Sequence, residues 1–188
     1  GSGRTGSVSY KWEQENGIFK FDGKPVPKLL SAISNAEWEA MIWGPYPADR
    51  PKFYTSWIDF CEKYNPGMKY FLIDSWPTLG QVQHQSKRRG NPESESFFTD
   101  EVFDQLNAAA NQTFAELVNA MRETTDKVYI LPTNAAMTEA AKRFNRGELP
   151  GVQGLFKVIG GKEFAIWRDQ RGHLGPGFER LEGYVFYA

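Results

Sequence analysis

The chain has 188 residues, 40% of them hydrophobic and 24% charged, an ordinary composition for a globular protein with one sizeable core and too short for two typical domains. Lysine and arginine total 22 against 23 acidic residues, a formal net charge of -1, so no general field favours nucleic acid, and no apolar run approaches a membrane span of roughly 18 residues. A single cysteine, Cys61, excludes an internal disulfide and a cysteine-rich zinc site, and reads as a core residue.

Residues 1–27 are rich in Gly, Ser and Pro without sustained periodicity, and are expected to be loop with some turn structure, although Val8-Ser9-Tyr10-Lys11-Trp12 could begin a short element. The opening stretch is neither Met-initiated nor a signal peptide, so it leaves the compartment open, a secreted or periplasmic location included if an amino-terminal part precedes it. Apolar residues at helical spacing predict a short helix over 27–35. The run at 39–43 reads as a buried strand stopped by Gly44-Pro45-Tyr46-Pro47. From 51 to 64, Phe53, Tyr54, Trp57, Ile58 and Cys61 recur at threes and fours, an amphipathic helix ended by Asn65-Pro66-Gly67.

A second strand is predicted at 69–74, followed by a polar, basic surface loop over 78–95. Thr99, Asp100 and Glu101 can cap a long helix reaching about residue 124, with Phe103, Leu106, Phe114, Val118 and Met121 on one face. A third strand follows at 127–131, then a helix over 134–146, then a Gly-rich connection over 150–165. Strands alternating with helices indicate a parallel sheet, whose ligands sit beyond the carboxyl ends of the strands.

Chemistry is most legible near the end of the chain. Asp169 and His173 stand close together, with Gly172, Gly175 and Pro176 arresting the backbone around them. A histidine acts as general base when a carboxylate fixes its tautomer and steadies its cation, so the pair is a candidate acid/base dyad, set against the reading of an exposed loop with an incidental histidine. The six tryptophans are many for this length, and Trp43, Tyr46, Trp76 and Trp167 are candidates for stacking on a substrate or for packing a core. No metal is expected, because His84 and His173 lie far apart in sequence, and no phosphate-cradling glycine loop follows a strand, so no cofactor is implied.

The segments Met41-Ile42-Trp43-Gly44-Pro45-Tyr46, Lys63-Tyr64-Asn65-Pro66-Gly67-Met68-Lys69-Tyr70, Asp74-Ser75-Trp76-Pro77 and Arg168-Asp169-Gln170-Arg171-Gly172-His173-Leu174, in this order, resemble the SGNH (GDSL-like) hydrolase superfamily. The resemblance implies a flavodoxin-like three-layer αβα sandwich with a parallel sheet, hydrolysing esters, often acyl groups on carbohydrates, without metal or cofactor. It would make Asp169 and His173 the acid and base, Ser7 the candidate nucleophile, and Gly6 and Gly44 candidate oxyanion donors. The chain departs from the family pattern in three places. Asp and His are four apart rather than three, Pro45-Tyr46 stands where an oxyanion asparagine is expected, and the first strand with its Gly-Asp-Ser turn is absent. The resemblance therefore also implies a fragment whose strand at 39–43 is an open sheet edge, with self-association as the expected consequence. A non-catalytic carbohydrate-binding or inert domain of the same fold is the alternative.

Overall fold

Three apolar runs become strands β1 (Ala40–Trp43), β2 (Lys69–Ile73) and β3 (Val128–Leu131) in the computed structural model, which describes residues 7–17, 28–46, 49–74, 79, 94–169 and 171–187. The fold is mixed α/β, with parallel strands in small open sheets. The chain divides into two units, Gly1–Ile73 with Thr113–Ile130 and Asp74–Gln112 with Leu131–Ala188.

In the first unit the strand order is β1-β2-β3. β1 and β2 run parallel with Met41 opposite Tyr70 and Trp43 opposite Leu72. β3 continues the sheet: Tyr70 N donates to Lys127 O and Asp74 N to Leu131 O, so both strands advance in the same direction. Between the strands lie α3 (Pro51–Tyr64), which starts on a proline whose missing N–H costs nothing in the first turn, and α4 (Asp100–Arg122).

Period-two alternation puts Trp43, Tyr70 and Leu72 on one face, where they pack with Tyr54, Trp57, Ile58 and Cys61 of α3 and with Phe114, Val118 and Met121 of α4. Cys61 is fully buried there, and burial, aided by the nearby Glu62 charge, pushes its thiol up to about 12, as suits a core residue. The opposite face stays open: Ile42 is 52% and Tyr129 44% exposed, with Tyr129 stacked on Phe71 at 5.3 Å.

Two expectations about loops are corrected. Residues 8–15, read as loop in which a short element could begin at Val8–Trp12, form helix α1 (Val8–Glu15). Eight residues rarely hold a helix by propensity, and α1 is held by tertiary contacts instead. Trp57 Nε1 donates to Val8 O at 3.2 Å, and Trp12 meets Trp57 edge-on at 5.0 Å. The next helix, α2 (Leu29–Ser34), is capped from a distance by Glu15, whose carboxylate accepts the N–H groups of Leu29 and Leu30.

The connection predicted over 150–165 contains β4 (Gly154–Phe156) and leads into β5 (Ala165–Trp167), which pair parallel in the second unit. These three-residue strands are too short to show a period, and side chains complete their hydrogen bonding: Glu95, in a 3-10 turn at Glu95–Phe97, accepts Phe156 N at 2.9 Å and the Lys162 ammonium. Leu155, Phe156, Ile166 and Trp167 are buried against Phe98, Phe103, Met137 and Ala141. Here α5 (Thr133–Asn145) and α6 (Leu181–Tyr187) complete the helices. No helix among the described residues is long and apolar enough to cross a membrane. The basic loop over 78–95 falls almost wholly outside the described residues.

Candidate functional site

At the end of β5 the chain leaves the buried Trp167, turns through residues 168–173 and returns, so that Leu174 makes an antiparallel bridge to Trp167. Arg168 N donates to His173 O at 2.8 Å and Gly175 N to Ile166 O at 2.8 Å, which closes the loop. The return strand passes so near β5 that a Cβ on Gly175 would fall on the Ala165 carbonyl. Glycine is required there.

Inside the loop Asp169 works with both carboxylate oxygens. Oδ1 accepts the Arg171 N–H at 2.9 Å, an Asx turn, and Oδ2 lies 2.7 Å from His173 Nδ1. The turn then needs a residue in the left-handed region, and Gly172 supplies it at φ 81°. The four-residue spacing thus brings the two side chains into direct contact. Gly172→Ala is expected to cost about 1 kcal/mol in stability, measured by urea unfolding, since Cβ strain in this region is of that order.

Partial burial pushes the Asp169 carboxyl up, but the hydrogen bonds from His173 and Arg171 and the His173 charge outweigh it, leaving the group below its ordinary value. Asp169 is therefore ionised near neutrality and can only accept, so His173 Nδ1 carries the proton and Nε2 is the basic nitrogen. The imidazole is reachable, with 52% of its side chain exposed against 25% for Asp169.

The other sequence candidates fall elsewhere. Trp167 is buried, stacked on Phe156 at 5.6 Å and tilted on Phe103 at 5.5 Å; Trp43 is stacked on Tyr70 and edge-on to Tyr54. Both are core residues, which corrects their reading as stacking platforms. Gly44 follows β1, exposed, with open space where a Cβ would stand. Gly6, Trp76 and His84 lie outside the described residues.

Ser7 belongs to the first unit and is buried as the N-cap of α1, its Oγ accepting Tyr10 N at 3.1 Å. Ser7 and Tyr46 line one cleft of about 470 Å³ with Ser9, Tyr10 and Arg50. Beside them Asp49 accepts from Val8 N, Ser9 N, Ser9 Oγ, Tyr46 N and Tyr54 Oη, tying the start of α1 to α3. Burial and this carboxylate together push the Tyr54 hydroxyl well up. Sequence reasoning missed Asp49, because its partners at the start of α1 lie some 40 residues away and leave no mark beside it.

No family model, curated protein or solved structure matches the chain.

A second polar cluster, also missed, lies where β2 ends and α5 begins. Asp74 is buried and accepts Asn134 N at 2.6 Å and Ala135 N at 3.1 Å, in effect capping α5 from another segment. Asn107 Oδ1 accepts from Asn134 Nδ2 and Thr138 Oγ1 behind it. Among the described residues no group of three His, Cys, Asp or Glu is placed to hold a metal.

Proposed function

We propose that this chain is an SGNH-type ester hydrolase domain of flavodoxin-like αβα architecture, with Asp169 and His173 as its acid/base pair. The observation that carries the reading is the 2.7 Å contact between Asp169 Oδ2 and His173 Nδ1, held in a loop that follows the carboxyl end of a parallel strand. A carboxylate on Nδ1 leaves Nε2 free to take the proton of an attacking hydroxyl as its oxygen bonds to the ester carbonyl carbon. The same nitrogen then returns the proton to the departing alkoxide, and water releases the acyl group by the reverse sequence. An acylated carbohydrate is the candidate substrate. The proposal assigns the base and its orienting acid; Ser7 Oγ acts as a helix cap, so the attacking hydroxyl is to be found by substitution. The alternative of a sugar-binding module loses support, because Trp43 and Trp167 are core residues. Hydrolysis of a p-nitrophenyl acyl ester by wild type and by His173→Ala is the test.

The architecture is supported by the parallel order β1-β2-β3, with α3 and α4 packed on one face and an apolar opposite face. Among the described residues β1 has a neighbour on one side only, and Ile42 on it is exposed beside a groove of about 390 Å³ that Leu29 and Trp38 also line. An edge of this kind pairs with another chain unless it is blunted. Sedimentation at micromolar concentration is expected to show a dimer, and Ile42→Lys a monomer; a monomeric wild type would remove this part of the proposal.

A further inference from the structure

Seven arginines lie among the described residues, and they differ in what holds them. Arg143 and Arg146 are in ion pairs with Glu139, Asp100 and Glu148 on the helical surface, and Arg122 donates to Val128 O. Of the second unit's described lysines, Lys142 pairs with Asp104 and Lys162 with Glu95, while Lys157 is exposed and makes no ion pair among the described residues. Arg50, Arg168, Arg171 and Arg180 have no side-chain partner among the described residues. Arg50 lines the cleft of the first unit and Arg180 stands on the turn before α6. Of the other two, Arg168 precedes Asp169 and Arg171 lies between Asp169 and His173 in the loop.

Their placement is tight. Arg168 N is hydrogen-bonded across the loop to the carbonyl of His173, and Arg171 N to the carboxylate of Asp169. Arg168, Arg171 and His173 are all exposed. The one carboxylate within the loop, Asp169, is engaged by His173 and the Arg171 amide, and neither guanidinium bonds to it. Two arginines against one aspartate give this six-residue segment a positive formal charge in a chain whose formal net charge is -1.

We propose that this loop recognises a carboxylate on the substrate, next to the ester that the dyad attacks, and that Arg168 and Arg171 are the specificity-determining residues. The inference rests on the ester-hydrolase reading of the same loop and names its substrate class: an acylated saccharide bearing an acidic group, such as a uronate. A guanidinium presents a planar fork of N–H donors that matches a carboxylate bidentately, which a neutral hydroxyl cannot reproduce. Two such groups also raise the local concentration of anionic substrate at an exposed site, an effect that salt weakens.

The test uses the whole chain and trigalacturonate as probe, with its fully methyl-esterified, uncharged counterpart as control. Binding is followed by the imidazole carbon-bound proton resonances, assigned to His173 by their loss in His173→Ala. Trigalacturonate is expected to shift the His173 resonances, more weakly as salt is raised, with an affinity lowered about tenfold or more in the Arg168→Gln/Arg171→Gln double variant. Equal binding of the uncharged trisaccharide, or unchanged affinity in the double variant, overturns the proposal. Hydrolysis of p-nitrophenyl acetate, a neutral ester, separates this inference from the one beneath it. A chain inactive on that ester but binding trigalacturonate through both arginines keeps the anion site and removes the hydrolase. An active chain indifferent to charge and to the arginines does the reverse.

Discussion

His173→Ala is expected to lower kcat for a p-nitrophenyl acyl ester by about 10²- to 10⁴-fold, the range that a positioned general base contributes. The imidazole is half exposed and touches Asp169 and solvent rather than the core, so the variant should unfold at nearly the same urea concentration as wild type. Unchanged hydrolysis in that folded variant would end the assignment. Asp169→Asn should give a comparable loss for a different reason. Its amide can present N–H instead of an acceptor to Nδ1, which allows the proton to move to Nε2 and leaves the wrong nitrogen basic.

A pH series gives a separate handle on the pair. Asp169 sits below its ordinary value when folded, so its contribution to stability is present above that ordinary value and is lost as pH falls through the depressed one. Asp169→Asn should remove this acid-side loss. His173→Ala should reduce it, because the Arg171 N–H still favours the ionised carboxyl.

How much of this could be read from the sequence depends on where the decisive contacts lie. Strands at 40–43, 69–73 and 128–131 and helices at 51–64 and 100–122 were legible within a residue or two, the strands as apolar runs and the helices by their period, with proline, glycine or a cap at their bounds; the strand at 39–43, read as buried, has Ala40 and Ile42 exposed instead. The dyad was legible too, since its two members are four residues apart and their contact is local. What failed was set by distant partners. α1 is stabilised by Asp49 and Trp57, some 40 and 49 residues away, and β4 by Glu95, 61 residues away. Neither leaves a mark in its own segment. Trp167 stayed open between stacking and core packing for a related reason: β5 is buried at all three positions, by partners such as Phe103 and Phe156 that its own segment does not show.

Asp74→Ala is expected to be the most damaging substitution for stability, at about 3 kcal/mol by urea unfolding. The side chain is buried and its two oxygens take the N–H groups of Asn134 and Ala135 in the first turn of α5, where no neighbour along the chain can satisfy them; Pro132, at the cap position, makes no side-chain bond. Truncation leaves both donors unmet in a dry environment, at about 1–3 kcal/mol each, and removes a negative group from the positive end of a helix. Asp74→Asn keeps one acceptor oxygen but turns an amide toward the other N–H, so roughly half the loss is expected. Burial pushes the Asp74 carboxyl above its ordinary value despite the opposing N–H groups. The folded state therefore takes up this proton before the unfolded state does. The group's contribution is then full below its ordinary value and is lost as pH rises through the raised one. The stability gap between wild type and Asp74→Asn should accordingly widen as pH falls through that window, and a gap independent of pH, or an Asp74→Ala variant within about 0.5 kcal/mol of wild type, would show that α5 is held by its apolar face alone.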